Sequence, residues 1–304
     1  MLSLEDINSF IELQLSQWYL AKNNYDNLIK VKRRYVKVCD VEIGIQWNPG
    51  RIVSTAAKVD KESIINRKCF LCKVNRDKHQ LSIRMFDNWE LLVNPYPIFP
   101  THLTIASKDH APQSRVPYDI VRFAENLPGL CVFFNGAKSG ASAPDHLHMQ
   151  AVLKDEIPLI SIAERFHKDS ESGIKFSSDF GVSLPFFFVS GVVSPDSAGL
   201  STMKFGLDLG GIDSNDEFKD LSLVNCFFWL SNNGLLRFIS IPRRTHRPKC
   251  FFSNNSDYRM ISPGSIDMGG LIITPREEDF NLLTSSDIEK IYSDVAVAND
   301  CVYH

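Results

Sequence analysis

The sequence predicts an α+β fold, and two observations carry that reading. Short strand-like runs recur in both halves of the chain, and 3.6-residue apolar periodicity is confined to a few separate segments. Separately, Ile105-Ala-Ser-Lys108-Asp-His110-Ala-Pro112 is echoed by Ile241-Pro-Arg-Arg244-Thr-His246-Arg-Pro248, each after a predicted strand, a match that fits an internal duplication and is also short enough to arise by chance. Taken in order, residues 4–22 read as a helix, with Leu4, Ile7, Ile11, Leu15 and Trp18 on one stripe. The basic run Lys30, Lys32, Arg33, Arg34 and Lys37 reads as a solvated edge. Residues 41–52 alternate loosely until Asn48-Pro49-Gly50 signals a turn. Strands are predicted at 89–94, 103–107, 130–134 and 146–153, with a helix over 118–126. In the second half, strands are predicted at 186–193, 224–229, 235–241 and 270–274. The last helix starts at Ser286, with Glu289 completing a capping box and Ile288, Ile291 and Val295 as its apolar stripe.

The bulk properties exclude several classes of function. At 304 residues, 44% hydrophobic and 23% charged, the chain is ordinary for a globular protein of one large domain or two lobes. A net charge of −3 argues against a general nucleic-acid binder. The N-terminus lacks the basic and apolar regions of a signal peptide, and the apolar stretch at 184–189 is too short to span a bilayer. Neither a nucleic-acid nor a membrane partner is therefore expected. Seven scattered cysteines, an odd number with one close pair, suit a reducing cytoplasm and a metal site better than a disulfide framework. Oligomeric state is left open.

The most informative stretch is Ser142-Ala143-Pro144-Asp145-His146-Leu147-His148-Met149-Gln150. It reads His-φ-His-φ-Gln, and strand alternation places His146, His148 and Gln150 on one face with Leu147 and Met149 on the other. The preceding loop, Asn135-Gly136-Ala137-Lys138-Ser139-Gly140-Ala141-Ser142, is rich in small residues whose backbone N–H groups can approach an anion. Two imidazoles and an amide beside such a loop suit nucleophilic attack on a phosphoryl group. Taken alone, the pattern also fits a surface strand or a chance metal pair. Upstream, Cys69-Phe70-Leu71-Cys72 is a Cys-x-x-Cys knuckle that supplies two of the four ligands Zn²⁺ prefers. A redox dithiol and two plain buried cysteines are its competing readings. His79, His167 and His304 have no motif around them and are expected to face solvent. His102 reads as structural, and Phe186-Phe187-Phe188 as core.

The His-φ-His-φ-Gln motif resembles that of the histidine-triad superfamily in its transferase branch. That branch includes galactose-1-phosphate uridylyltransferase, the dinucleoside polyphosphate phosphorylases and the GDP-hexose phosphorylases. Uridylyltransferases usually carry Pro between the two histidines, whereas this chain has Leu147. The resemblance implies two fused histidine-triad-like halves, each an antiparallel sheet with packed helices. Residues 1–155 would carry the motif, and residues 156–304 would lack the nucleophile, since no second motif follows His246. It implies a nucleotidyltransferase or phosphorylase acting on a nucleoside diphosphate sugar or dinucleoside polyphosphate. Phosphate or a sugar phosphate would be the acceptor.

By the same resemblance His148 is the covalent nucleophile and Gln150 holds a non-bridging phosphate oxygen. Substrate phosphates would be held by Arg51, Lys58, Lys138, Ser139, Gly140 and Ser142, although Arg51 and Lys58 also fit a solvated surface. Asn94 lies where related proteins often hold the nucleotide, and equally suits a cap on the following turn; Asn135 resembles a family Asn at the end of the preceding strand. His110 and His146 would complete a structural Zn²⁺ site with Cys69 and Cys72. Two alternatives remain at this stage. One is a nucleotide hydrolase, disfavoured because Gln150 stands where the hydrolases have a third His. The other is a non-catalytic nucleotide-binding protein, disfavoured by the intact His148 and its loop.

Overall fold

The computed structural model describes residues 1–166, 174–193 and 222–298; His167 and His304 lie outside them. The hairpin β1 (Lys32–Val38) and β2 (Val41–Trp47) pairs with β12 (Leu271–Thr274) in a three-stranded sheet, β12 running parallel to β2. The basic run 30–37 is thus mostly strand. Arg33 and Arg34 alternate faces, Arg33 reaching Gln46 and Glu156, and Arg34 the carbonyls of Phe280 and Leu283.

The second sheet has nine strands in the order β3-β4-β5-β7-β6-β10-β11-β9-β8, antiparallel throughout. They are β3 (Ile83–Met85), β4 (Trp89–Val93), β5 (His102–Ser107), β6 (Leu130–Asn135), β7 (His148–Leu153), β8 (Ile174–Phe176), β9 (Val189–Val193), β10 (Val224–Leu230) and β11 (Leu236–Pro242). The order confirms the duplicated α+β architecture. Hairpins β4–β5 and β6–β7 of the first half are matched by β8–β9 and β10–β11 of the second. The two halves do not keep separate sheets, because β6 and β10 pair and leave neither with an exposed edge. The sequence echo does not follow this repeat. Ile105 lies on β5 and Ile241 on β11, whereas the sheet order matches β5 with β9 and β11 with β7.

Each face of the large sheet has its own core. One face buries Leu91, Val93, Leu103, Ile105, Val132, Phe134, Met149, Phe228 and Phe238. It is covered by α1 (Leu4–Gln17), through Ile7, Phe10 and Ile11, and by α5 (Asp119–Asn126), through Ile120, Phe123 and Ala124. The opposite face buries Cys131, Phe133, Val152, Phe227, Trp229, Ile239 and Ile241 under the small sheet. It also lies under α6 (Pro158–Phe166), α7 (Ser265–Met268) and α9 (Ser285–Val295), while α8 (Glu277–Leu282) packs on β2 and β12. Each large apolar side chain so buried contributes about 1.5–3 kcal/mol. The triple Phe186-Phe187-Phe188 is core as expected.

Two predicted helix ends shift. The helix expected over 4–22 breaks at Trp18, whose extended backbone (φ −125°, ψ 101°) caps α1 and starts α2 (Tyr19–Asp26). The break turns the indole inward, 6% exposed, toward the site described below. The final helix is capped by Thr284 with Asp287, because the Thr284 hydroxyl accepts from the Asp287 N–H while the Asp287 carboxylate accepts from the Thr284 N–H. Short helices α3 (Ile52–Thr55) and α4 (Lys61–Asn66) lead into the cysteine knuckle.

Candidate active site

His148 opens β7, and its strand register decides what it meets. Ladder pairing joins Ala106 to His148, Thr104 to Gln150 and Gln150 to Phe133, so all of these share the face opposite Met149. The β6–β7 ladder stops at that last pair. Beyond it the side chain of Gln113, fully buried, takes the place of backbone pairing. Its Oε1 accepts from the His148 N–H at 2.8 Å, and its Nε2 donates to the carbonyls of His148 (2.7 Å) and Asn135 (2.9 Å). One amide therefore holds His148 and Asn135 apart at a fixed separation. Nothing in the sequence pointed to Gln113, since it lies in an irregular loop.

The His148 ring is oriented by its own strand. Nδ1 lies 2.8 Å from the backbone carbonyl of His146. A carbonyl only accepts, so Nδ1 carries the proton and Nε2 keeps the lone pair. Burial, with the neighbouring His146, brings its pKa down to about 4, and the ring is neutral near pH 7.

Gln150 is fixed by a similar chain of donors. Ile98 N–H donates to His102 Nδ1 at 3.0 Å, so His102 carries its proton on Nε2 and donates to Gln150 Oε1 at 2.8 Å. Burial and the nearby Arg51 charge hold His102 neutral, with its pKa down to about 3. With Oε1 taken, Gln150 has its Nε2 amide as the donor for a ligand. Asn94 Nδ2 contacts Thr104 Oγ1 (3.2 Å) and Gln150 Oε1 (3.4 Å), while its Oδ1 accepts from Tyr96 N–H, so Asn94 does cap the following turn.

Two cavities meet here. The larger, 350 Å³ of space open to water-sized groups, is lined by Trp18, Phe70, Leu92, Tyr96, His148 and Gln150, among others. The smaller, 60 Å³, is lined by Asn135, Gly140 and Ser142 of the first half and by Arg247, Ser265 and Asp267 of the second, among others. Arg51, Ser54, Ala57, Ser142 and Gln150 line both. Arg51 donates to the Tyr96 carbonyl at 2.6 Å, and its buried Nε has no protein partner among the described residues. Burial lowers its pKa to about 10 against the opposing pull of Asp267, and it stays charged.

Asn135 Oδ1 accepts from Asn225 Nδ2 (3.0 Å), Ser265 N–H (2.7 Å) and Ser265 Oγ (2.9 Å), and Arg243 in turn holds Asn225. Gly140 has φ +98°, and a Cβ there would lie 2.5 Å from Gly264 Cα, so a larger residue would push the two halves apart.

Three residues expected on phosphates lie elsewhere. Lys58 and Lys138 are exposed and line neither cavity, as long cations on solvent-facing loop positions. Ser139 is buried with its hydroxyl donating to the Ser222 carbonyl at 2.7 Å, so it ties the loop to the second half.

His146 turns away from His148. It precedes β7, and its Nε2–H donates to the Ser107 carbonyl at 2.8 Å. That leaves Nδ1 facing Cys69 Sγ (3.3 Å) and Cys72 Sγ (3.5 Å), while His110 Nδ1 lies 3.2 Å from Cys72 Sγ. Ligand atoms of all four residues lie within 4.8 Å of one another. Two thiol sulfurs and two imidazole nitrogens at this spacing fit a tetrahedral metal ion, and the set can hold one. Asp145 pairs with Arg67 and reaches His110 Nε2 at 3.8 Å, bracing the cluster from outside.

The fold and this site define a class first: the duplicated α+β architecture that the histidine-triad transferase motif implied. The solved proteins that share it are then specific. The chain resembles the crystal structure of yeast Ap4A phosphorylase Apa2 at 13% identity and a TM-score of 0.57, covering 92% of this chain and 97% of that one. The same yeast enzyme in complex with Ap4A gives 14%, 0.57, 94% and 98%. Its complex with AMP gives 15%, 0.56, 94% and 97%. Residues 10–153 match a model described as a domain of unknown function (DUF4922). No curated protein matches the chain. Among the described residues no helix is long and apolar enough to cross a membrane.

Proposed function

We propose that this protein is a nucleotidyltransferase or phosphorylase that works through a covalent nucleotidyl-His148 intermediate on a nucleoside diphosphate sugar or dinucleoside polyphosphate. The observation that carries this reading is the fixed tautomer of His148, with Nδ1 on the His146 carbonyl and the ring lining a cavity beside Gln150. The fold supports it, since the yeast Ap4A phosphorylase has been solved with AMP and with Ap4A.

His148 Nε2 attacks the α-phosphorus, and the bond from phosphorus to the leaving phosphate oxygen breaks. The proton stays on Nδ1, so the ring becomes a phosphorylated imidazolium that the His146 carbonyl stabilises. Attack by an acceptor oxygen then breaks the P–N bond and returns the electron pair to Nε2. Gln150 Nε2 donates to a non-bridging oxygen throughout, while Arg51 and Ser142 contact the phosphates. The amide of Gln150 holds phosphate but relays no protons, which favours transfer over hydrolysis.

The nucleoside occupies the larger cavity, whose walls are mostly apolar. At 350 Å³ it is the roomier of the two cavities. Cys69, Cys72, His110 and His146 hold one structural Zn²⁺; four protein ligands leave it no open position for substrate. The halves divide at the β7–α6 connection, near residues 155–156, and each chain has one active site. A panel of nucleoside diphosphate sugars and dinucleoside polyphosphates, assayed with phosphate, tests the function. Acceptor-dependent release of a nucleotide is expected, and equal rates with and without any acceptor would count against transfer.

A further inference from the structure

The smaller cavity is built by both halves, and its second-half walls have no part in the chemistry so far. Arg247 enters from the segment after β11. Its Nε donates to Ser262 Oγ at 3.1 Å, and its Nη2 to the carbonyls of Thr55 (3.2 Å) and Ala57 (2.8 Å). The guanidinium lies 4.1 Å from the Phe251 ring centroid. Four contacts thus fix the fork in place at the cavity wall, next to α3, which carries Ser54 and is preceded by Arg51. The same cavity is lined by Asn135, whose Oδ1 is taken by Asn225 and Ser265, and by Gln150, whose Oε1 is taken by His102. Both amides are thereby turned with their N–H₂ ends as the available donors.

The charge around the cavity is positive. Arg51 and Arg247 line it, and Arg243 lies buried just behind. Among the described residues the one carboxylate in the wall is Asp267, which accepts from Gly264 N–H (2.9 Å) and Ile273 N–H (2.8 Å) and offsets only part of that charge. At 60 Å³ against 350 Å³, this cavity is the smaller of the two and suits a compact group such as one phosphate ion rather than a nucleoside. The cavity shares Gln150 and Ser142 with the larger one, so a group seated in it lies next to the phosphorus bonded to His148.

We propose that this cavity seats the acceptor phosphoryl group, that inorganic phosphate alone fills it, and that Arg247 of the second half is a specificity-determining residue for it. The proposal rests on the nucleotidyl-histidine reading above. In the second half-reaction an oxygen of hydrogen phosphate attacks the nucleotidyl phosphorus. A P–O bond forms, the P–Nε2 bond breaks with its electron pair returning to His148, and a nucleoside diphosphate leaves. In the first half-reaction the same seat holds the proximal phosphoryl group of the departing product.

The test separates the two half-reactions. Parent protein is loaded with radiolabelled nucleotide and freed of the leaving group. Discharge is then followed against a series of inorganic phosphate concentrations, with a sugar 1-phosphate series in parallel. Discharge is expected to saturate with inorganic phosphate. Arg247→Lys keeps the charge but loses the fork. It is expected to raise half-saturating phosphate about tenfold or more, as loss of a charge-assisted hydrogen bond would, while label still loads at saturating nucleotide. Arg247→Met should raise it further; if that variant does not fold, the Lys variant carries the measurement. Unchanged half-saturation in Arg247→Lys, discharge that never saturates with phosphate, or discharge by the sugar phosphate alone would each overturn the proposal. A parent protein that takes no label would overturn the nucleotidyl-histidine reading and this proposal with it, before any phosphate is added.

Discussion

The hairpins β6–β7 and β10–β11 hold corresponding places on either side of the central seam, yet they present opposite surfaces. On β7 the site face carries His148 and Gln150, open to the cavities. The same row of the sheet continues through Phe133 and Phe227 to Ile239 of β11, buried beneath the small sheet, two of whose strands (β1 and β2) come from the first half, and beneath the second-half helices. The first half leaves its sheet face uncovered where chemistry is to occur. The second-half face is covered by elements of both halves, and the second half lends residues 243–247 and 262–267, the latter running into α7, to the site across the seam. Under the proposed mechanism, the second half supplies a wall and a charge set rather than a second nucleophile.

The sharpest way to break this comparison is to remove His148, the proposed nucleophile. His148→Ala should lose turnover by on the order of 10³-fold or more with little change in melting temperature, since it removes a covalent role and no apolar packing. Activity within about tenfold of the parent would mean that the two hairpins do not differ in chemistry as argued.

The next largest effect falls on stability. Stripping the metal with a chelator, or substituting Cys69→Ser, should lower the melting temperature by on the order of 5–10 °C and weaken activity indirectly. The link is physical: the His146 ring faces the cysteines while its carbonyl holds His148 Nδ1. Metal analysis of His148→Ala should give the same content as the parent. A metal-free parent protein would remove the zinc assignment.

Gln113→Leu sharpens the account of how β7 is set. It leaves the His148 N–H and two carbonyls without partners, at a cost of about 1–3 kcal/mol. The added consequence is a fall in kcat larger than any rise in KM, because His148 shifts relative to Asn135. Glu at this position keeps one acceptor for the His148 N–H and should recover part of kcat. A variant that melts earlier but keeps kcat would make Gln113 merely structural.

The smallest effect is expected in the covered half. Ile239→Val should cost about 0.5–1.5 kcal/mol in denaturant unfolding and leave kcat and KM unchanged. A catalytic defect there would mean that the β11 face takes part in the reaction after all.

The local motifs were the legible part of this site. His-φ-His-φ-Gln and Cys-x-x-Cys are short and chemically marked, and the structure brings Cys69, Cys72, His110 and His146 together as the resemblance implied. Alternation misled at one point, because His146 lies before the strand and turns to the cysteines instead of sharing the His148 face. Gln113, His102 as the anchor of Gln150, and Arg247 were not legible as site residues. They act through long-range contacts between segments that share no pattern in sequence. Lys58 and Lys138 show the converse: a cation near a motif in sequence is no guide to which way its side chain extends. The strand β1 was hidden by its charges, since Arg33 and Arg34 are held by partners more than a hundred residues away.

The central claim is the covalent nucleotidyl-His148, and mapping the modified residue tests it most directly. Protein incubated with nucleotide labelled at the α-phosphate should retain an acid-labile, base-stable label, as a phosphoramidate does. Mass spectrometry should place that label on the peptide containing His148, and added phosphate should discharge it. A parent protein that turns over substrate without retaining label, or a His148→Ala variant that labels as fully as the parent, would contradict the account.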